Sequence, residues 1–178
     1  GIPEGIEEEI RIRSKLGRTV ILVSEDRKIL GYIEVADEIR ENSESSVLTL
    51  QKNGIEVVML TGDRAEVAST IAATVGIDRV ISEVKPHEKA EAILDLQKVG
   101  TVAMIGDGIN DAAALAVADV GIAMGSGSEI ALESADIVLI RNDLSDAVAA
   151  LDLGKATMSK IRSNLVWAFL YNLIGIPI

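Results

Sequence analysis

Between residues 55 and 140 the chain alternates short apolar runs with longer segments of helical periodicity, and this alternation limits the folds it can adopt. Helical patterns separate the apolar runs, and several of them end at a glycine, as one does at Gly76. One helix is predicted to run to Val99 with Pro86 in its first turn. Strands that alternate with helices and are apolar along their length favour a parallel sheet covered on both faces. We predict an α/β protein with an open, mostly parallel sheet and helices on both faces. The strand-like runs lie at 55–60, 80–81, 102–105, 120–124 and 137–140.

The segments on either side of this alternating region have different patterns. Residues 1–16 are acidic, with isoleucines at four-residue spacing, and we predict an amphipathic helix there. Apolar runs at 20–23 and 29–35 are joined by a polar turn, which predicts a β-hairpin. Further helices are predicted at 43–53 and from Asp143 onward.

The final segment, residues 163–178, carries no charge, and Lys155, Lys160 and Arg162 precede it. It is shorter than the roughly 20 apolar residues that span a bilayer. Basic residues before an apolar run that has Trp167 near its start are nevertheless typical of the cytoplasmic end of a membrane helix. We interpret the segment as the start of such a helix, and the alternative is a C-terminal helix packed in a soluble core.

Composition excludes several classes of function. A net charge of −11 over 178 residues argues against non-specific nucleic-acid binding, so no nucleic-acid partner is predicted. The chain has no cysteine, and therefore no disulfide, no thiolate metal site and no nucleophilic thiol. His87 is the only histidine, so a histidine metal cluster is excluded as well. What remains compatible is a site built from carboxylates, hydroxyls and lysines.

Residues 101–111, read T-V-A-M-I-G-D-G-I-N-D, place acidic side chains where a predicted strand gives way to a helix. Ligands bind at the carboxyl ends of parallel strands, and glycines let backbone approach a ligand closely. Asp107 and Asp111 are four residues apart and can face one pocket, where hard oxygen ligands suit Mg²⁺. The alternative is structural: Asp107 ends a turn and Asp111 stabilises a helix N-terminus.

Two other loops are expected at the same edge of the sheet. They contain Thr61-Gly62-Asp63 and the stretch from Lys85 to Lys89. A hydroxyl, an ammonium and two carboxylates are suited to phosphoryl transfer, which depends on positioning and charge neutralisation. Thr61 would donate to a phosphoryl oxygen, Lys89 would neutralise its charge, and Asp111 would anchor the lysine. Taken singly, Thr61 could be a turn residue and Lys89 a surface lysine.

Three motifs resemble the later motifs of the haloacid dehalogenase superfamily, and more narrowly the phosphorylation domain of P-type ATPases. They are M-L-T-G-D at 59–63, K-P-H-E-K at 85–89 and M-I-G-D-G-I-N-D-A-A-A-L at 104–115. Ala113 stands where most members have proline. The resemblance implies Mg²⁺ and ATP as cofactors. It implies catalytic roles for Thr61, Lys89, Asp107, Asn110 and Asp111, cofactor binding by Gly62, Asp63, Gly106 and Gly108, direct magnesium coordination by Asp107 and an indirect role for Asp111.

The segment V-G-I-A-M-G-S-G-S-E-I-A-L-E-S-A-D-I-V-L-I at 120–140 resembles the heavy-metal-transporting branch of these pumps. In its copper pumps the following membrane helix carries a Tyr-Asn pair before a proline, which Tyr171, Asn172 and Pro177 match. This implies that Tyr171 and Asn172 contribute to the site of a transported Cu⁺ or Ag⁺. The alternatives are hydrogen bonds to neighbouring helices and a different heavy metal, because Cu⁺ prefers sulfur ligands that this chain lacks.

The nucleophile motif of the family, D-K-T-G-T, does not occur in this sequence. The resemblance therefore implies the downstream part of a catalytic unit, anchored at the cytoplasmic face of the cell membrane, and we expect the 178 residues alone to be inactive as an ATPase. The partners of this chain would be the nucleophile segment, the nucleotide and actuator domains and the membrane helices.

The rival functions are a soluble phosphatase of the superfamily and a non-catalytic binding module. The implied division is 1–30 as the end of a nucleotide domain, 31–152 as a phosphorylation domain without its first strand, and 153–178 as a connecting helix and the start of a membrane helix.

Overall fold

A computed structural model of the chain describes residues 4–15, 18–26, 28–35, 39–107, 109–125 and 129–175. Its helices and strands alternate through the region where the sequence pattern alternates, which confirms the predicted α/β class. In chain order the elements are α1 (Glu4–Lys15), β1 (Thr19–Glu25), β2 (Lys28–Val35), α2 (Ser43–Lys52), β3 (Val58–Leu60), α3 (Ala65–Val75), β4 (Arg79–Ile81), α4 (Lys89–Gln97), β5 (Ala103–Gly106), a 3₁₀ turn (Ile109–Asp111), α5 (Ala112–Val117), β6 (Val120–Ala123), α6 (Glu129–Glu133), β7 (Ile137–Val138) and α7 (Leu144–Gly175).

The parallel strands form two separate sheets. One contains β3 and β4, with Met59 opposite Val80, and the other has the order β5-β6-β7, with Ile105 opposite Ile122. Within the described residues, β3 is therefore paired along one edge, by β4, and β5 along one edge, by β6. In the part of the chain that the structure describes, each of these two strands keeps a second edge without a strand partner.

The core lies between the three-stranded sheet and the helices beside it. Ile93 from α4, Met104 from β5 and Leu115 from α5 form one buried cluster. Small residues permit this close packing, because a Cβ added to Gly121 in β6 would lie 2.5 Å from the carbonyl oxygen of Leu115. The core thus fixes α4 and α5 relative to β5, and three of the predicted site residues, Lys89, Asp107 and Asp111, lie on these elements or in the turn between β5 and α5.

Several predicted elements are shorter than the sequence suggests. Of the strand predicted at 55–60, only Val58–Leu60 (β3) is a strand in the structure. Of the strand predicted at 137–140, only Ile137–Val138 (β7) is. Pro86, predicted in the first turn of a helix running to Val99, lies in a turn before α4. The reason is local: Glu88 N–H donates to the Lys85 carbonyl and the Glu88 carboxylate accepts from Lys85 N–H, which closes a turn. The predicted glycine end of α3 is confirmed, since Gly76 has a φ of 77°.

The N-terminal unit is a two-stranded antiparallel hairpin with α1 packed beside it. Arg13 on α1 lies over the ring of Tyr32, 4.8 Å from its centroid, and pairs with Glu34 of β2 at 2.6 Å. Arg18 binds the other oxygen of Glu34 at 2.5 Å. Ion pairs therefore join α1 to the hairpin, whereas Ile21 and Ile33 on its open face are about half exposed.

α7 is a long helix whose first turns pack on the fold and whose remainder projects from it. Asp143 caps its start by accepting from Ser145 N–H at 2.9 Å, and Asn42 donates to the other Asp143 oxygen. The Ser145 backbone bond lowers the pKa of Asp143. Residues 152–174 are all exposed. In the part of the chain that the structure covers, no helix has both the length and the apolar character required to cross a membrane.

Candidate active site

The loop after β3 is held by the loop after β4. Val84 N–H donates to the Thr61 carbonyl at 3.1 Å, and Glu83 N–H donates to the Asp63 carbonyl at 2.9 Å. Gly62 lies in this junction, where an added Cβ would be 3.2 Å from the Val84 carbonyl oxygen. The Thr61 hydroxyl donates to the Asp63 carboxylate at 2.8 Å. The backbone thus fixes Thr61 at the carboxyl end of β3, and Asp63 holds its hydroxyl.

Lys89 and Asp111 form a largely buried ion pair between α4 and the 3₁₀ turn. The Lys89 ammonium donates to Asp111 Oδ1 at 2.6 Å, and the two side chains are only 14% and 11% exposed. Gly106 makes room for this pair, because a Cβ there would lie 2.8 Å from the Asp111 Cβ. An ammonium has three donors, so Lys89 can bind Asp111 and still donate to a ligand.

The turn before α4 ends at Glu88, so that Lys89 is the first residue of the helix. Glu88 closes that turn through its bond to Lys85 N–H, and this bond lowers the pKa of the Glu88 carboxyl. Lys85 and His87 are more than two-thirds exposed, and their side chains lie 3.8 Å and 3.7 Å from Glu88 Oε1. Of the charged residues in the K-P-H-E-K motif, Lys89 alone lines the cavity described next.

A cavity of about 290 Å³ opens between the carboxyl ends of β3 and β5. Its charged lining residues are one lysine, Lys89, and two aspartates, Asp107 and Asp111. The cavity therefore carries a net negative charge, which attracts cations. Asp107 is exposed at the end of β5. The lining residues are Leu60, Lys89, Met104, Ile105, Gly106, Asp107, Asp111 and Met124.

The donor set in this cavity fits Mg²⁺ in one particular way. Among the residues that the structure describes, no group of three or more carboxylate or histidine side chains could enclose a metal ion. Asp111 is already bound to Lys89, which leaves Asp107 as the exposed carboxylate. Mg²⁺ commonly uses one or two carboxylates and completes its shell with waters and phosphate oxygens. The residues present therefore suit a magnesium ion that is shared with a phosphoryl group.

The structure brings some of the predicted site residues together and separates others. Lys89, Gly106, Asp107 and Asp111 line the cavity. Thr61, Gly62 and Asp63 directly follow Leu60, which lines it, but are not lining residues themselves. Asn110 is exposed in the 3₁₀ turn. Gly108 is outside the described residues. Tyr171 and Asn172 lie on the exposed part of α7 and do not line this cavity.

Sequence reasoning did not identify two carboxylates that organise the sheet under the site. Asp119 accepts from Val102 N–H at 2.8 Å, and Asp136 accepts from Gly121 N–H at 2.8 Å. Each lies just before a strand, preceded by alanine, and binds the start of the neighbouring parallel strand. The repeated Ala-Asp pair before an apolar run was the available signal. These bonds help to align β5, β6 and β7.

Comparison with known proteins supplies the family. The family model described as haloacid dehalogenase-like hydrolase matches residues 4–119. Copper-transporting ATPase 1 of Mus musculus is 47% identical over an alignment 178 residues long, and the match covers 99% of this chain and 12% of that protein. The probable copper-importing P-type ATPase A of Enterococcus hirae is 49% identical over an alignment 164 residues long, and the match covers 90% of this chain and 23% of that protein. The chain thus spans less than a quarter of these relatives.

A solved structure supports the same relationship. The crystal structure of a zinc-transporting PIB-type ATPase in an E2.Pi state matches with a TM-score of 0.82 and 34% sequence identity. The match covers 97% of this chain and 30% of that one. The resemblance read from the sequence motifs is confirmed: the chain is homologous to part of the P-type ATPases that transport heavy metals.

Proposed function

This chain belongs to the haloacid dehalogenase-like hydrolase family, and we propose that it forms the magnesium-binding and phosphoryl-stabilising part of a heavy-metal P-type ATPase. The observation that carries the proposal is the cavity between β3 and β5, which combines the buried Lys89–Asp111 pair with the exposed Asp107. A buried ammonium beside an exposed carboxylate can hold a phosphoryl group and a divalent cation together.

The free edges of β3 and β5 support the next step of the proposal. Each strand is paired along one edge in the described part of the chain, and residues of both strands line the cavity. A parallel strand inserted between them would join the two sheets into one. An aspartate at the carboxyl end of that strand would lie beside Asp107 and Lys89. We propose that the D-K-T-G-T segment of the parent protein occupies this position.

In this arrangement each residue has a separate task. The second and third donors of the Lys89 ammonium neutralise charge on the transferred phosphoryl group, while Asp111 keeps the ammonium in place. The Thr61 hydroxyl turns from Asp63 to a phosphoryl oxygen, and Asp63 and Gly62 hold the loop on which it lies. Gly106 and Asn110 shape the loop around Asp107, and the cofactor-binding role of Gly108 stays a prediction. Magnesium, held by Asp107, would supply charge neutralisation at the phosphoryl oxygens.

We propose Cu⁺ or Ag⁺ as the transported ion and ATP as the phosphoryl donor. The relatives at 47% and 49% identity have copper in their names, whereas the zinc-transporting structure is 34% identical. Tyr171 and Asn172 would contribute to the ion site once residues 153–178 lie in a membrane beside other helices. In this proposal residues 1–30 end the nucleotide domain, 31–152 form the phosphorylation domain, and the catalytic part faces the cytoplasm.

ATP hydrolysis by the longer protein, in membranes, tests this assignment. We expect Cu⁺ to stimulate hydrolysis more than Zn²⁺. Thr61→Ala, Lys89→Ala and Asp107→Asn should each remove most of the stimulated activity, because each removes a contact to the reacting group. Asp95→Asn is the matched control, since Asp95 is an exposed carboxylate on α4 that pairs with Lys98. Stimulation by Zn²⁺ alone would contradict the copper assignment, and full activity of Asp107→Asn would contradict the site.

A second experiment tests the proposed strand. A synthetic peptide with an apolar strand followed by D-K-T-G-T is added to the ¹⁵N-labelled chain, and a peptide of scrambled sequence is the control. We expect amide shifts in β3 and β5 with the first peptide, because both strands gain hydrogen bonds. The chain without the peptide should hydrolyse no ATP. Shifts confined to the hairpin of β1 and β2 would contradict the proposed position.

A further inference from the structure

The exposed part of α7 combines two features that the phosphoryl site does not use. Residues 163–175 are uncharged, and those with a described side chain are exposed, with Trp167 at 70% and Phe169 at 72%. Just before them lie Lys155, Lys160 and Arg162, all exposed. The last acidic residue of the chain is Asp152. A chain with a net charge of −11 therefore has a local excess of positive charge where its apolar helix begins.

The positions of these cations around the helix favour one orientation. Lys160 and Arg162 are two residues apart, which separates them by about 200° around an α-helix. A helix that lies flat on a membrane has its cations along one polar face. Cations on opposite sides of α7 suit a helix that enters the membrane end-on, so that they surround it at the level of the headgroups.

We propose that Lys160 and Arg162 form a collar that binds the anionic headgroups of phospholipids where α7 enters the bilayer. The inference rests on the membrane-helix part of the proposed function. Long basic side chains keep their charge at the headgroup level while their stems lie along apolar surface. The described ion pairs include none made by Lys155, Lys160 or Arg162, which leaves their charges available to lipid.

Distance along the helix ranks the three cations. Leu165 is the first apolar residue of the uncharged segment. With a rise of about 1.5 Å per residue along the helix axis, Arg162 lies ~4.5 Å, Lys160 ~7.5 Å and Lys155 ~15 Å before it. Charges separated by more than the Debye length, about 8 Å at physiological ionic strength, are largely screened. Arg162 and Lys160 should therefore contribute to lipid binding and Lys155 should contribute little. Screening also limits the repulsion between the acidic body of the protein and an anionic membrane.

Trp167 is the only tryptophan, so its fluorescence reports directly on the start of the apolar segment. The full chain is titrated with vesicles of phosphatidylcholine and with vesicles of phosphatidylcholine and phosphatidylglycerol, at physiological ionic strength. We expect a blue shift with both, and stronger partitioning into the anionic vesicles. Arg162→Gln and Lys160→Gln should each weaken partitioning into anionic vesicles by about fivefold, which corresponds to ~1 kcal/mol. Neither substitution should change partitioning into phosphatidylcholine.

Two controls separate a local collar from the overall charge. Lys155→Gln and Lys28→Gln remove the same charge, the second of them on the exposed hairpin, and both should leave partitioning within twofold of the wild type. Circular dichroism verifies that each variant is folded. Equal partitioning of the wild type into both kinds of vesicle would overturn the collar while leaving membrane insertion intact. An equal loss in all four variants would also overturn it. If the Trp167 fluorescence shows no blue shift with either kind of vesicle, both the collar and the proposed membrane helix are overturned.

Discussion

The cavity region and the periphery of this protein both use ion pairs, but the pairs are in very different surroundings. Lys89 and Asp111 are 14% and 11% exposed, whereas Arg18 and Glu34 on the hairpin are 47% and 21% exposed. Breaking a buried pair leaves a charge without compensation, while exposed pairs contribute little to stability. The cavity region therefore depends on its charges remaining paired, whereas water can solvate the charges of the periphery when a pair there is broken.

The largest expected effect comes from breaking the buried pair. Asp111→Asn should lower the free energy of unfolding by about 3 kcal/mol, because it leaves the Lys89 ammonium buried and uncompensated. Urea denaturation followed by circular dichroism measures this. The double variant Lys89→Met/Asp111→Leu should recover most of the loss, since no buried charge remains. A double variant as unstable as the single one would show that the pair acts through packing, and Glu34→Gln should have a much smaller effect than Asp111→Asn.

Replacing a glycine by alanine should have opposite effects on stability in the packed sheet and in the exposed helix α7. Gly121→Ala in β6 should destabilise the protein by about 1–3 kcal/mol, because its Cβ would overlap a fixed backbone carbonyl. Gly154→Ala in α7 should instead stabilise it by about 0.5–1 kcal/mol, since the position is open and alanine favours helix. Melting temperatures of the two variants measure the difference. Changes of the same sign would contradict the packing described for β6 and α5.

The smallest effect is the pH dependence at the hairpin. Arg18 holds the pKa of Glu34 below its ordinary 4.5. A carboxyl with a lowered folded pKa stabilises the fold above its unfolded pKa and loses that contribution as the pH falls through the folded value. The urea midpoint of the wild type should therefore exceed that of Glu34→Gln above pH 4.5 and approach it below. Added salt should reduce the difference, and a gap that widens in acid would contradict the assignment.

The sequence predicted the class of fold because that class depends on periodicity. The apolar runs around Met59 and Met104, the hairpin and the glycine end of α3 are local features, and each is present. The lengths of β3 and β7 were wrong because a strand extends only as far as its neighbour pairs with it. Pro86 was misassigned because the bonds between Lys85 and Glu88 closed a turn that propensity alone does not reveal.

The candidate site divides in the same way. The motifs predicted that Lys89, Asp107 and Asp111 belong to one site. Their spacing in the chain does not predict which of these side chains are buried. That Asp111 is bound to Lys89 while Asp107 is exposed depends on α4, α5 and Gly106 packing together. The bond from the Thr61 hydroxyl to Asp63 likewise depends on the backbone of the neighbouring loop. The magnesium role of Asp107 remains a prediction.

Titration of the full chain with Mg²⁺, followed by the amide resonances of residues 103–111, tests whether the Asp107 carboxylate binds magnesium. We expect saturable shifts in the wild type that centre on Asp107. Asp107→Asn should abolish them, whereas Asp63→Asn, an equal loss of charge in the neighbouring loop, should retain them. Shifts that persist unchanged in Asp107→Asn, or that are lost equally in Asp63→Asn, would contradict a magnesium site on this carboxylate.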